Sequence, residues 1–186
     1  MNSKKIKLQT GVLMGMILLA ALSRMLPHPH NFTPIGGMAL FGAAWFSRKS
    51  LAILVPVAAL WISNLLLDNL IYSQYYDGFK WFSNPLVFVS MIFITLFGFT
   101  VLKKLSAGRL LGATLTASLI FFVVSNFGSW LEYNAYPKTL AGLGACYVAA
   151  IPFFWNTLAG DVFYVAVLFG SFELIRRNYP ALNTVA

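Results

Sequence analysis

Few residues in this chain are equipped for chemistry. The 186 residues hold only five acidic side chains and two histidines. Asp161 lies deep in an apolar stretch, after Trp155-Asn156-Thr157 and Gly160. A carboxylate in such a place must face a cavity, meet a cation or take up a proton, and an ionisable group inside an apolar span is a functional candidate by default. Two readings of Asp161 are open: a ligand or ion site, and a structural pair or hydrogen-bonded cap. Asn64 and Asp68 are spaced to share one helix face. Asn126, accompanied by Ser125 and Trp130, precedes Glu132 by about a turn and a half of helix. Arg24 closes the first apolar segment. It either pairs with Asp68 or Asp161, or snorkels to lipid headgroups.

Other chemistries lack their residues. There is no nucleophile elbow, H-E-x-x-H, P-loop or dinucleotide fingerprint. His28 and His30 flank Pro29 with no cysteine, histidine or acidic residue close in sequence, whereas zinc takes three or four ligands. Cys146 lies among Gly144, Ala145 and Ala149 and reads as a buried, inert thiol. The expectation is therefore no enzyme, no metal and no cofactor, and any role driven by ATP requires a partner. What remains is binding. Asn64, Asp68, Asn126, Trp130, Asp161 and Arg24 are the expected ligand-binding residues, with Trp130 stacking on a ring and the amides and carboxylates fixing polar edges. Tyr75, Tyr76, Trp81, Trp130 and Tyr133 fall in the same half of the chain's spans. An interfacial aromatic belt explains some of them, but it does not explain Asn64 and Asn126 inside helices.

The elements that position these residues follow from composition. Apolar residues make up 59% of the chain and charged residues 10%, and the mean hydropathy is +0.76. An average soluble domain carries about 25% charged residues, so this chain cannot cover a water-facing globule. The expectation is an all-α integral membrane protein, one domain over residues 1–186. A span takes about 20 residues, which allows roughly six. They are read at 8–26, 35–47, 51–71, 84–102, 110–131 and 148–175. The Lys4–Lys7 run resembles the start of a signal peptide, but Ala20-Ala21-Leu22-Ser23-Arg24 is a poor cleavage site, so the first span reads as retained. Three prolines within residues 27–34 stop a helix. The short second span then needs that stretch to dip into protein, where irregular backbone at membrane depth is tolerated. The last span reads as broken at Pro152, and the tail 178–186 as short and loose.

Basic residues alternate in density. Clusters stand at Lys4, Lys5 and Lys7, at Arg48 and Lys49, at Lys103, Lys104 and Arg109, and at Arg176 and Arg177; single residues stand between them at Arg24, Lys80 and Lys138. Cytoplasmic loops carry the excess of Lys and Arg, so both termini read as cytoplasmic. The net charge of +8 is then a topology signal, and no nucleic-acid partner is expected. Gly11 and Gly15 form one small-xxx-small pair, and Ala39 and Ala43 flank another. Such pairs serve internal packing or a partner's docking face.

Several stretches carry a family resemblance: residues 24–42 (Arg24-Met-Leu-Pro-His-Pro-His-Asn-Phe-Thr-Pro-Ile-Gly-Gly-Met-Ala-Leu-Phe-Gly), Ser125-Asn-Phe-Gly-Ser-Trp130, Tyr136-Pro-Lys-Thr-Leu-Ala-Gly-Leu and Pro152-Phe-Phe-Trp-Asn-Thr-Leu-Ala-Gly-Asp161. The chain resembles an uncharacterised bacterial family of transport-type membrane proteins. Its architecture is similar to the S components of energy-coupling-factor (ECF) vitamin transporters, their substrate-binding membrane subunits. That resemblance implies a multi-pass protein of the bacterial inner membrane, with an S-component-like bundle that takes up a vitamin or related micronutrient. It implies a site near the outer surface, closed by the loops after spans one, three and five. It also implies an energising transporter module docked near Gly11 and Gly15, where S components commonly carry alanines. The rivals are a proton-coupled small carrier with Asp161 as relay and a non-transport membrane scaffold or assembly subunit.

Overall fold

The computed structural model describes residues 3–179 and 182. Among them are six α-helices and no strands: α1 (Ser3–Leu22), α2 (Ile35–Trp45), α3 (Lys49–Leu66), α4 (Pro85–Val101), α5 (Ala107–Glu132) and α6 (Leu140–Asn178). Four helical stretches are long and apolar enough to cross a membrane: Lys5–Met25, Lys49–Ile71, Ala107–Glu132 and Leu140–Asn178. α2 and α4 are apolar but shorter. The tail expected to be loose lies, from residue 180 on, outside the described residues except for Leu182.

α2 is the hub. It packs against each of the other five helices, and Ile35 to Gly42 are buried without exception. A helix apolar all round belongs in an interior, and this one is walled by its neighbours. Phe41 stands edge-on to Phe169 and Phe172. The end of the stretch before α2 does dip inward: at Gly160 of α6 a side chain would run into the backbone of Phe32 and Thr33, with Thr33 N only 2.8 Å from the added carbon.

α6 differs from its expected form. It starts at Leu140, before the expected residue 148, and runs unbroken through Pro152. The start is set by Thr139, whose hydroxyl accepts from Gly142 N at 3.1 Å, the usual satisfaction of a first-turn amide. α4 and α5 begin the same way, with Asn84 accepting from Leu86 N and Ser106 from Arg109 N. α2 and α3 differ, because no side chain at their own N-termini caps them.

The connections 23–34, 72–84 and 133–139 gather at one end of the bundle. Asn156 Nδ2 on α6 donates to His30 O. Asn69 exchanges hydrogen bonds with the backbone of Lys80, and Trp61 Nε1 donates to Trp81 O. The basic clusters mark the opposite end, where Arg176 lies over the Trp45 ring at 5.0 Å and Lys49 over Phe99.

Candidate functional site

The six expected ligand-binding residues separate into four places. Asp161 is 1% exposed. Its carboxylate accepts from Ser118 Oγ at 2.7 Å and from the backbone amides of Gly36 and Gly37. Those amides belong to the first turn of α2, which has no side-chain cap of its own. Asp161 thus supplies the cap from α6, where the positive end of the α2 dipole favours a carboxylate. Gly36 has to be glycine here, since a side-chain carbon would sit 2.6 Å from the Asp161 Cγ.

Arg24, Asn64 and Asp68 come together at the loop end. Arg24 Nη1 donates to Ser63 Oγ at 2.7 Å and to Asn64 Oδ1 at 2.6 Å. Asn64 Nδ2 in turn donates to Ser83 Oγ. α3 changes character at this level. Residues Leu67–Ile71 form a π-helical turn, closed by Tyr72 N to Leu67 O at 2.8 Å, and Asp68 rides on it. Single π-turns inside α-helices recur at functional sites. Arg24 feels the charge of Asp68, but the two make no ion pair. Burial raises the Tyr76 hydroxyl pKa, and the charges of Asp68 and Glu132 raise it further. Tyr133 responds in the same direction, first to burial and then to Glu132.

Asn126 lies elsewhere, in a partly open polar cavity of about 150 Å³ between α4, α5 and α6. Asn31, Asn84, Ser125, Ser129 and Thr157 line it with Asn126, and Phe121, Phe122 and Phe154 supply ring surface. None of these groups is charged. Ser125, Ser129 and Thr157 spend their hydroxyl protons on carbonyls of their own helices, and Asn126 Nδ2 donates to Phe122 O. Their oxygen lone pairs, the Asn126 side-chain carbonyl and the Asn31 side-chain amide are the polar capacity left for a ligand. Asn31 enters on the residue 23–34 connection with φ of 64°, a conformation asparagine tolerates better than most. Ser83 and Asn84 join the two polar sites: Ser83 accepts from Asn64, while Asn84 reaches Ser125 and Ser129 at 3.5 Å.

Trp130 is not among the cavity's lining residues. Its indole N–H donates to Pro137 O at 2.9 Å, and the Lys138 ammonium lies over its ring while donating to the Trp130 and Tyr133 carbonyls. Trp130 and Lys138 clasp the 133–139 connection. Loosening the clasp with Lys138→Met is expected to speed proteolysis between residues 133 and 139 without unfolding the bundle; limited proteolysis followed by mass spectrometry checks this.

Chain-order reading missed Asn31, Asn84, Ser129 and Thr157 as cavity residues. Asn84 has a helix-starting signal that hides its second role, and Asn31 belongs to a segment notable for its prolines. Cys146 is buried, with its thiol 3.7 Å from the Asn126 carbonyl. His28 bonds backbone carbonyls, and His30 stands edge-on to Phe153. No group of three metal-binding side chains gathers among the described residues.

Residues 4–182 match the model of a family of unknown function, DUF6580. The chain belongs to DUF6580. The match covers the bundle from α1 to the end of α6, so both polar sites lie inside the DUF6580 region. No curated protein and no solved structure matches the chain.

Proposed function

We propose that this protein is the substrate-binding subunit of an uptake system, taking a small molecule from the outer side of the bacterial inner membrane. The observation that carries this reading is the neutral polar cavity of about 150 Å³. Six polar side chains from two connections and two helices line this one space, and a small-ligand site, fixed by a few placed polar groups, is the function that such a space serves. The excess of Lys and Arg at the opposite end of the bundle supports a cytoplasmic position for that end. The cavity then faces outward, beneath the connections 23–34 and 72–84.

An energising partner of the ECF type has a surface available. Gly11 and Gly15 serve no internal contact, since a side-chain carbon at either would meet nothing within 4 Å. Beside them α1 and α3 form an apolar groove of about 370 Å³, lined by Met14, Gly15, Leu18, Leu54, Ala58 and Ile62 among others. The second small pair is used inside, where Ala39 is buried and Ala43 packs closely on Gly98 of α4, a side-chain carbon added there lying 2.7 Å from the Ala43 Cβ. Gly15→Leu is expected to change the thermal midpoint little, within about 0.5 kcal/mol, and to abolish co-purification of a membrane partner that the parent chain retains.

Native mass spectrometry of the gently purified chain, with released metabolites identified, tests the reading. A stoichiometric metabolite is expected, and Asn126→Leu is expected to reduce its occupancy at least tenfold, about 1.4 kcal/mol, with the fold retained. A stoichiometric protein partner with no metabolite, in the parent and in Asn126→Leu alike, would overturn it in favour of a scaffold subunit.

A further inference from the structure

We infer that Arg24 and Asp68 form a divided charge pair that holds a small zwitterion, the ligand's carboxylate on Arg24 and its ammonium on Asp68. This rests on reading the chain as a small-molecule-binding subunit and names the class of molecule. Asp68 is 8% exposed, yet no hydrogen bond or ion pair from the described residues reaches its carboxylate. Its carboxylate oxygens keep contact with solvent, so an incoming donor can reach them. Arg24 is also incompletely used. Its Nη1 serves Ser63 and Asn64, its Nε is enclosed with no acceptor, and no described residue accepts from Nη2.

Opposite charges in a weakly polarisable setting attract strongly, and a long arginine side chain next to an aspartate ordinarily closes the gap. Here each partner is held back. Ser63 and Asn64 anchor the guanidinium, and Ser63 is itself fixed by its bond to Leu60 O. Asp68 sits on the π-turn Leu67–Ile71, whose extra residue rotates it out of α-helical register. A molecule completing both groups needs an anionic acceptor at one end and a cationic donor at the other. A carboxylate alone leaves Asp68 without donors, and an amine alone leaves Arg24 without acceptors; either omission forfeits a charge-assisted hydrogen bond. The Tyr76 hydroxyl, a neutral phenol whose pKa burial and the charge of Asp68 push up, adds a donor to the neighbourhood.

The test is calorimetric titration of the purified full chain with glycine, β-alanine and γ-aminobutyrate, against propionate and propylamine as half-charged controls. One of the three zwitterions is expected to bind, with both controls weaker by about tenfold to a hundredfold. In Asp68→Asn the zwitterion's advantage over propionate is expected to vanish, and in Asp68→Glu it should persist. Each comparison is made within one variant, so a lower yield of folded protein does not disturb it. No binding of any zwitterion, or propionate equalling the best zwitterion in the parent chain, would overturn the inference and leave water as the filler of the gap. A neutral co-purified metabolite lost in Asn126→Leu but kept in Asp68→Asn would overturn it while leaving the uptake reading intact.

Discussion

Asp161→Leu is expected to destabilise the folded chain by roughly 2–6 kcal/mol, counting two buried amide donors at about 1–3 kcal/mol each. The Gly36 and Gly37 amides would lose their acceptor, and Ser118 would keep only its bond to Thr114 O. The leucine would bring no compensating fit, because the carboxylate is already packed against Gly36. The effect should appear as a large drop in thermal midpoint in detergent. Asp161→Asn keeps one acceptor oxygen and should fall between parent and leucine. Ser118→Ala removes a single donor and should cost about 1 kcal/mol. A graded series in that order identifies a cap. If Asp161→Leu matched the parent's midpoint, α2 would have to be held by its apolar packing alone.

The second large effect is expected at Arg24. Arg24→Met should destabilise the chain by about 3–6 kcal/mol, because Ser63 and Asn64 lose their charged donor, counting about 1.5–3 kcal/mol for each hydrogen bond to a charged group. Adding Asp68→Asn should restore part of the loss, because the stranded carboxylate is then gone. Groups in one network commonly couple by about 0.5–3 kcal/mol. A double variant less stable than Arg24→Met would show that Asp68 stabilises the loop end by itself. The measurement is thermal unfolding in detergent of the parent, both single variants and the double variant.

The helical bundle was readable in the residues because hydropathy and charge density carry it directly. The expected inward dip of the proline-rich stretch holds only for its end: Phe32 to Pro34 pack inward, whereas Pro27, Pro29, His30 and Asn31 are exposed. α6 was harder. Pro152 suggests a break, yet a proline costs one backbone bond and neighbouring helices absorb the defect. Thr139 signalled the true start of α6 but lay in a stretch whose polarity suggested loop. The π-turn at Leu67–Ile71 has no sequence signature, so the setting of Asp68 could not be anticipated. The two readings of Asp161 differ only in what faces it, and the backbone amides of a helix remote in sequence do so. The expected single pocket splits in space because Asn64 and Asn126 stand on helices whose polar faces meet only through Ser83 and Asn84.

The cap on α2 also bears on how the protein is made. Asn156 and His30, which close the same junction, are 126 residues apart, and Asp161 is farther along still. A ribosome delivers the chain from the N-terminus, so α2 enters the translocation machinery long before its acceptor exists. α2 has 11 residues, too few to cross by itself, and its first amides have no local partner. Until the last helix emerges, the early half of the chain is an unfinished object, and a chaperone or the insertion machinery must shelter it. Quality-control proteases would therefore be expected to remove chains stopped after α5, while a complete chain locks its second helix with its last.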